Sequence, residues 1–149
     1  MKKLIGMIVA AAVVLGAGVS QAIAGDNGYG KQKVVYHVNY DNPKRQLGAM
    51  RNIKNHLNAV GDENIDLRVV MHGKGFTLLK TANTDMKFQS QVIDLKSRGV
   101  KFQLCANTIK GKKIDVKNDL FEVDQKDIVP SGVAEIAHLE AQGFSYVKP

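Results

Sequence analysis

Two rhythms of apolar residues take turns along residues 33–149. Short β-branched runs mark strands, and longer stretches with apolar residues three and four apart mark helices. Residues 33–39 (KVVYHVN) predict a first strand. Asn42 and Pro43 then open a helix, the first as its cap and the second in its first turn. Leu47, Met50, Ile53, Leu57 and Val60 form its stripe, and Gly61 stops it. Residues 65–71 (IDLRVVM) predict a second strand, followed by a turn over 72–75 and a short apolar piece over 76–79. Asn83, Thr84 and Asp85 offer a cap for a second helix with Phe88, Val92 and Leu95 inside and Gly99 at its end. Residues 100–104 predict a third strand that runs straight into Cys105. One irregular helix is expected within 106–122, and a short fourth strand over 127–129. Ser131 caps a last helix, with Val133, Ile136, Ala137 and Leu139 available for burial and Gly143 as its stop. Residues 144–147 complete the set as a fifth strand.

Strand and helix alternate throughout, which predicts an α/β domain: a mainly parallel sheet of about five strands with right-handed connections and helices on both faces. No internal repeat, low-complexity tract or second domain interrupts residues 33–149.

The amino-terminal segment has a different pattern. Lys2 and Lys3 precede 16 uncharged residues, 4–19, and Ala22-Ile23-Ala24 ends the stretch with small residues at the two positions a signal peptidase reads. This predicts a cleavable secretory signal over 1–24 and a periplasmic or secreted protein. A stable membrane anchor is not expected, because the apolar run is shorter than the roughly 20 residues of a bilayer span. Residues 25–32 (GDNGYGKQ) read as a loose polar leader. Cleavage after Ala24 leaves 125 of the 149 residues, one domain of ordinary size. The formal charge of +7 falls to +5 as Lys2 and Lys3 leave. That basicity is spread along the chain without interleaved aromatic residues, so nucleic acid is not an expected partner.

Candidate chemistry centres on one thiol. Cys105 is the sole cysteine. It cannot close an internal disulfide, and without a C-x-x-C pair it does not suggest a dithiol oxidoreductase. In open parallel sheets ligands bind beyond the carboxyl ends of the strands. Those ends are Asn39-Tyr40-Asp41, His72-Gly73-Lys74 and Cys105-Ala106-Asn107-Thr108. A cysteine between a strand end and a helix start meets backbone N–H groups that favour the thiolate. Lys74, Lys110, Lys112 and Lys113 add positive charge nearby. A buried cysteine acting as a small hydrophobe remains the plain alternative. His72 is either a proton donor or a hydrogen-bonded strand-end residue. His37 is expected to be a packed strand residue, and His56 and His138 ordinary helix residues. No histidine pair has metal-ligand spacing, so neither a metal nor a cofactor is expected. Gly73-Lys74-Gly75 lacks the remainder of a phosphate-loop motif, and no G-x-S-x-G elbow is present.

Four segments together resemble the DsrE/DsrF-like family of small α/β proteins: KVVYHVN with its loop and long helix, VVMHGKGFTLL, LKSRGVKFQLCANTI, and the tail VAEIAHLEAQGFSYVKP. The resemblance implies a three-layer flavodoxin-like fold without flavin. It implies that Cys105 holds a persulfide, that Asn107 and Thr108 shape its loop, and that His72 sits across from it. It also implies a homo-oligomer, a trimer or hexamer. The family's understood sulfur relays work in the cytoplasm, whereas this chain carries an export signal, so its donor and acceptor are its own.

The resulting expectation is an exported sulfur-handling protein, carrier or sulfurtransferase-like, with a thiol protein or small sulfur compound as donor and acceptor. Cys105 and His72 form the chemical pair, with Asn39, Tyr40, Gly73, Lys74, Asn107 and Thr108 as the binding rim. Two other readings stand beside it: a non-catalytic oligomeric binding module with a structural Cys105, and a redox sensor that forms a disulfide between chains.

Overall fold

The structure is a computed structural model, and it describes residues 28–149. The expected signal segment over 1–24 lies outside the described residues. Strands β1 (Gln32–Val38), β2 (Ile65–Met71), β3 (Lys101–Cys105), β4 (Ile128–Val129) and β5 (Ser145–Val147) form one sheet in the order β4-β3-β2-β1-β5. Every pairing is parallel. The chain steps from β1 to β4 in one direction, then returns to the free side of β1. Right-handed crossovers therefore put the early helices on one face and the last helix on the other. The three-layer flavodoxin-like α/β architecture is thus the observed one.

Helix α1 (Pro43–Val60) begins where Asn42 Oδ1 accepts the Arg45 N–H at 3.0 Å and ends at Gly61, whose φ of 91° glycine adopts without strain. Its buried positions, Gln46, Ala49, Met50, Ile53, Leu57 and Val60, hold helical spacing. Helices α2 (Thr77–Ala82) and α3 (Met86–Ser97) lie beside it, the latter capped by Asp85 as expected. Together they cover Val34, Tyr36, Val38, Leu67, Val69, Met71, Phe102 and Leu104, the first face of the sheet. The second face is smaller. Helix α6 (Gly132–Ala141) presses Ile136 and Leu139 against Val35, Val70 and Phe144.

Two expectations are corrected. The irregular helix within 106–122 is two helices, α4 (Ala106–Lys112) and α5 (Val116–Asp119). Lys113 turns left-handed at φ 54°, and the Ile114 N–H closes onto the Ile109 carbonyl at 3.0 Å. The turn ends α4, and Ile114 and Val116 beyond it pack against the first-face core. In α6, Val133 and Ala137 face outward, Val133 with 65% of its surface exposed. One helix crossing a narrow face buries one stripe, and Gly132, Ile136 and Leu139 occupy it. The turn expected over 72–75 is a 3₁₀ turn, Gly73–Phe76, and the apolar piece expected over 76–79 runs from its last residue into α2. A Cβ on Gly75 would lie 1.9 Å from the Val38 carbonyl oxygen, so only glycine lets this loop reach the end of β1.

Candidate functional site: the carboxyl rim of the sheet

Because β1, β2 and β3 are neighbours, their carboxyl ends share one rim. Strand pleating then decides which residues share a side. His37 pairs with Val70, Val70 pairs with Gln103, and Met71 pairs with Leu104. His37, His72 and Cys105 therefore all belong to the second face, beside the start of α6.

Cys105 ends β3 and is the residue from which α4 starts. Burial pushes its thiol up, but four hydrogen bonds prevail and bring it below the ordinary thiol range. They come from the Gly132 N–H, the Thr108 N–H and hydroxyl, and the Asn107 N–H. Each helps the sulfur carry negative charge. Gly132 makes the approach of α6 possible: a Cβ there would lie 2.9 Å from His72 Cβ and 3.3 Å from Cys105 Cβ. The Thr108 hydroxyl oxygen also accepts the Gly73 N–H at 2.9 Å, which ties the β2 loop to the β3 loop. Cys105 is 4% exposed and sits at the floor of an open cleft of about 360 Å³. His72, Gly73, Asn107, Thr108, Lys112 and Val133 are among its walls.

His72 reaches this cleft from β2 and is tied behind it to His37. The two Nε2 atoms lie 2.7 Å apart, and His37 Nδ1 is 2.7 Å from the Tyr146 hydroxyl. Burial, with the nearby Lys148 charge and His72, lowers His37 to about 4. Burial and Lys148 also lower His72. Both imidazoles are accordingly neutral at pH 7.

The remaining rim residues divide sharply. Gly73, Asn107 and Thr108 surround the thiol. Asn39, Tyr40 and Lys74 face elsewhere. Asn39 accepts a hydrogen bond from Lys148, and Tyr40 donates to the Pro149 carbonyl at 3.3 Å beneath the Arg45 guanidinium. Lys74 pairs with Asp41 at 3.1 Å. These three fasten the carboxyl-terminal tail and the β1 loop. Of the basic cluster, Lys112 lines the cleft, while Lys110 and Lys113 are solvated.

Three participants were not singled out from sequence. The sequence predicts His37 as a packed strand residue; it is buried, and it also bridges Tyr146 and His72. Tyr146 and Gly132 went unnoticed. Period-two alternation carries the signal for His37 once the strand order is known, because the register places it on the side of His72. The larger hollow, about 580 Å³, lies at the opposite, amino-terminal edge of the sheet among Lys31, Lys33, Glu63 and Asp66. Neither a thiol nor a histidine lines it, so the cleft at Cys105 is the candidate site. Among the described residues no His, Cys, Asp and Glu cluster has the arrangement of metal ligands. No described helix is long and apolar enough to cross a membrane.

A search of curated proteins finds no match to this chain. Solved structures share its fold, among them that of a protein of unknown function, MTH1491, from Methanobacterium thermoautotrophicum. That structure is 30% identical to this chain, with a TM-score of 0.69, covering 80% of this chain and 100% of its own. The model of the DsrE/DsrF-like family matches residues 32–149, the whole of the sheet and its helices. The chain belongs to the DsrE/DsrF-like family, and that membership supports a role of the sulfur-relay type in general.

Proposed function

We propose that this protein is an exported sulfur carrier in which Cys105 accepts sulfane sulfur as a persulfide and passes it to a thiol. The observation that carries the reading is the place of Cys105, between the end of β3 and the start of α4, packed against Gly132 and lining an open cleft, where the nearby N–H groups of Gly132, Thr108 and Asn107 and the Thr108 hydroxyl favour the thiolate. A packing cysteine needs no such set of donors. In the first half-reaction the Cys105 thiolate attacks the outer sulfur of a persulfide RS–SH. The donor S–S bond breaks, the Cys105 S–S bond forms, and RS⁻ leaves. In the second, an acceptor thiolate takes the outer sulfur and Cys105 departs as thiolate. One S–S bond is exchanged for another, so no external oxidant or reductant is consumed. The depressed pKa helps in both halves, since it supplies the nucleophile and makes Cys105 a good leaving group. Export rests on the signal-like residues 1–24. The outward Val133 at the cleft and the exposed Tyr146 support self-association, with the trimer or hexamer implied by the family as the expected form.

Intact mass of protein purified from the periplasm without reductant tests the proposal. A reducible gain of roughly one sulfur atom at Cys105, regenerated with glutathione persulfide and absent from Cys105→Ser, is the expected result. One observation favours a second reading, a binding module with a structural cysteine: Cys105 is only 4% exposed. A thiol that stays unmodified by persulfide and by iodoacetamide while the protein is folded would establish that reading instead.

A further inference from the structure

The bond between His37 and His72 constrains where protons can be. The Nε2 atoms are 2.7 Å apart while the ring centroids are 4.7 Å apart and the planes tilt by 28°. The rings therefore meet edge to edge through these two nitrogens, and one must donate while the other accepts. His37 Nδ1 is committed to the Tyr146 hydroxyl at 2.7 Å. His72 Nδ1 makes no hydrogen bond to another described group, and His72 lines the cleft beside Cys105. Two arrangements satisfy every partner. In one, Tyr146 donates to His37 Nδ1, His37 Nε2–H donates to His72 Nε2, and His72 presents Nδ1–H. In the other all three protons are shifted, and His72 presents a bare Nδ1 lone pair. Moving between them changes the end of the chain from donor to acceptor without charging either ring.

We propose that Tyr146, His37 and His72 form a proton relay for the Cys105 cleft, with His37 as the positioning residue that sets the His72 tautomer and Tyr146 as the port to solvent. This rests on the reading of Cys105 as a sulfur acceptor and adds to it the route of the accompanying proton. Tyr146 is 42% exposed, His37 is 8% exposed and His72 lines the cleft, so the line runs from water through one buried ring to the cleft. When Cys105 takes the outer sulfur of RS–SH, the leaving RS⁻ takes the proton on His72 Nδ1. His37 passes its Nε2 proton to His72, Tyr146 passes its hydroxyl proton to His37, and water restores Tyr146. The net delivery is one solvent proton to the leaving thiolate. In the second half-reaction the same line runs outward, removing the proton of the acceptor thiol. The titratable and charged groups facing the pair are Tyr146 from β5, Lys148 from the tail, and Cys105 across Gly132. Burial first, and then the positive charge of Lys148, held by Asn39, favours the neutral form of both rings.

The test compares two reactions of the same thiol in the full mature protein. Sulfur uptake from glutathione persulfide expels a thiolate that needs a proton, whereas alkylation by iodoacetamide expels iodide, which needs none. His37→Gln and Tyr146→Phe are each expected to slow sulfur uptake at pH 7 about 100-fold, the low end of general acid catalysis. Each is expected to leave alkylation within about two-fold. Tyr146→Phe keeps the ring and carries the test if His37→Gln folds poorly. Equal losses in both reactions overturn the relay, because they mean the pair only positions the thiol. Unchanged sulfur uptake in both variants overturns it too. Failure of the wild type to take up any sulfur at Cys105 defeats the carrier reading itself, and the relay with it. Imidazole nitrogen NMR adds a readout independent of sulfur: both rings neutral at pH 7 supports the relay, and a charged His72 at that pH refutes it.

Discussion

The two faces of the sheet are built from alternate residues of the same strands, yet they differ in almost every property. On the first face Val34, Tyr36, Val38, Leu67, Val69, Met71, Phe102 and Leu104 form an apolar wall under three helices. On the second, the same strands present His37, Arg68, Gln103 and Cys105, and α6 is the helix that covers them. The buried polar atoms left without a partner, among the described residues, are on this side. The Nε of Arg68 and the Oε1 of Gln103 are buried without a hydrogen-bond partner, and the buried His37 imidazole is tied to that of His72, which lines the cleft. Stability and chemistry are thereby separated by a single Cβ direction. A residue moved one position along a strand would change from one role to the other.

The comparison predicts separable losses. Leu57→Ala empties a fully buried site on the first face and is expected to cost about 2–5 kcal/mol in denaturant unfolding. Cys105 alkylation in its folded fraction should stay at the wild-type rate. A changed rate would mean that the two faces are coupled through the sheet.

Acid should act mainly through the second face. His37 is lowered from 6.5 to about 4 in the folded protein. Between those values the unfolded chain binds a proton that the folded one refuses, so stability falls as pH drops from about 6.5 toward 4 and levels off below. The expected loss is about 1–3 kcal/mol, with the lowered His72 and His56 adding in the same direction. Melting at pH 7 and at pH 4.5 measures it. His37→Gln should flatten the profile, and an unflattened profile would assign the acid sensitivity elsewhere.

Thr108→Val keeps the shape of the side chain and removes one hydroxyl. That hydroxyl accepts from Gly73 and donates to Cys105. A loss of about 1 kcal/mol is expected, together with a higher thiol pKa and slower alkylation at pH 7. An unmoved pKa would leave the backbone N–H groups as the whole cause. Lys54→Ala sets the lower limit. Its pair with Asp94, 2.9 Å long, is exposed on both sides, and a change under about 0.5 kcal/mol is expected.

Most elements were legible because their signals are local. The Asn42-Pro43 start, the Gly61 stop, the Asp85 cap and the IDLRVVM strand all fall where propensity and spacing put them. The broken helix after Cys105 was not legible, because Lys113 turns left-handed without the glycine that usually marks such a turn. Val133 and Ala137 have the composition of a buried stripe, and only the width of the face they would cover leaves them outside. At the site, Cys105, Asn107, Thr108, Gly73 and His72 follow from the rule that ligands gather at strand carboxyl ends. Asn39, Tyr40 and Lys74 obey the same rule but are engaged by Lys148, Pro149 and Asp41.

By itself the sequence determined the alternation of strands and helices, the parallel sheet, and a single thiol at a strand end, because each depends on residues near one another in the chain. Tertiary structure alone decided that β5 returns beside β1, bringing Tyr146 to His37, and that α6 brings Gly132 between His72 and Cys105. Those partners are 109 residues apart for His37 and Tyr146. No local pattern links them, since their meeting depends on strand order and on the direction in which each side chain leaves the sheet.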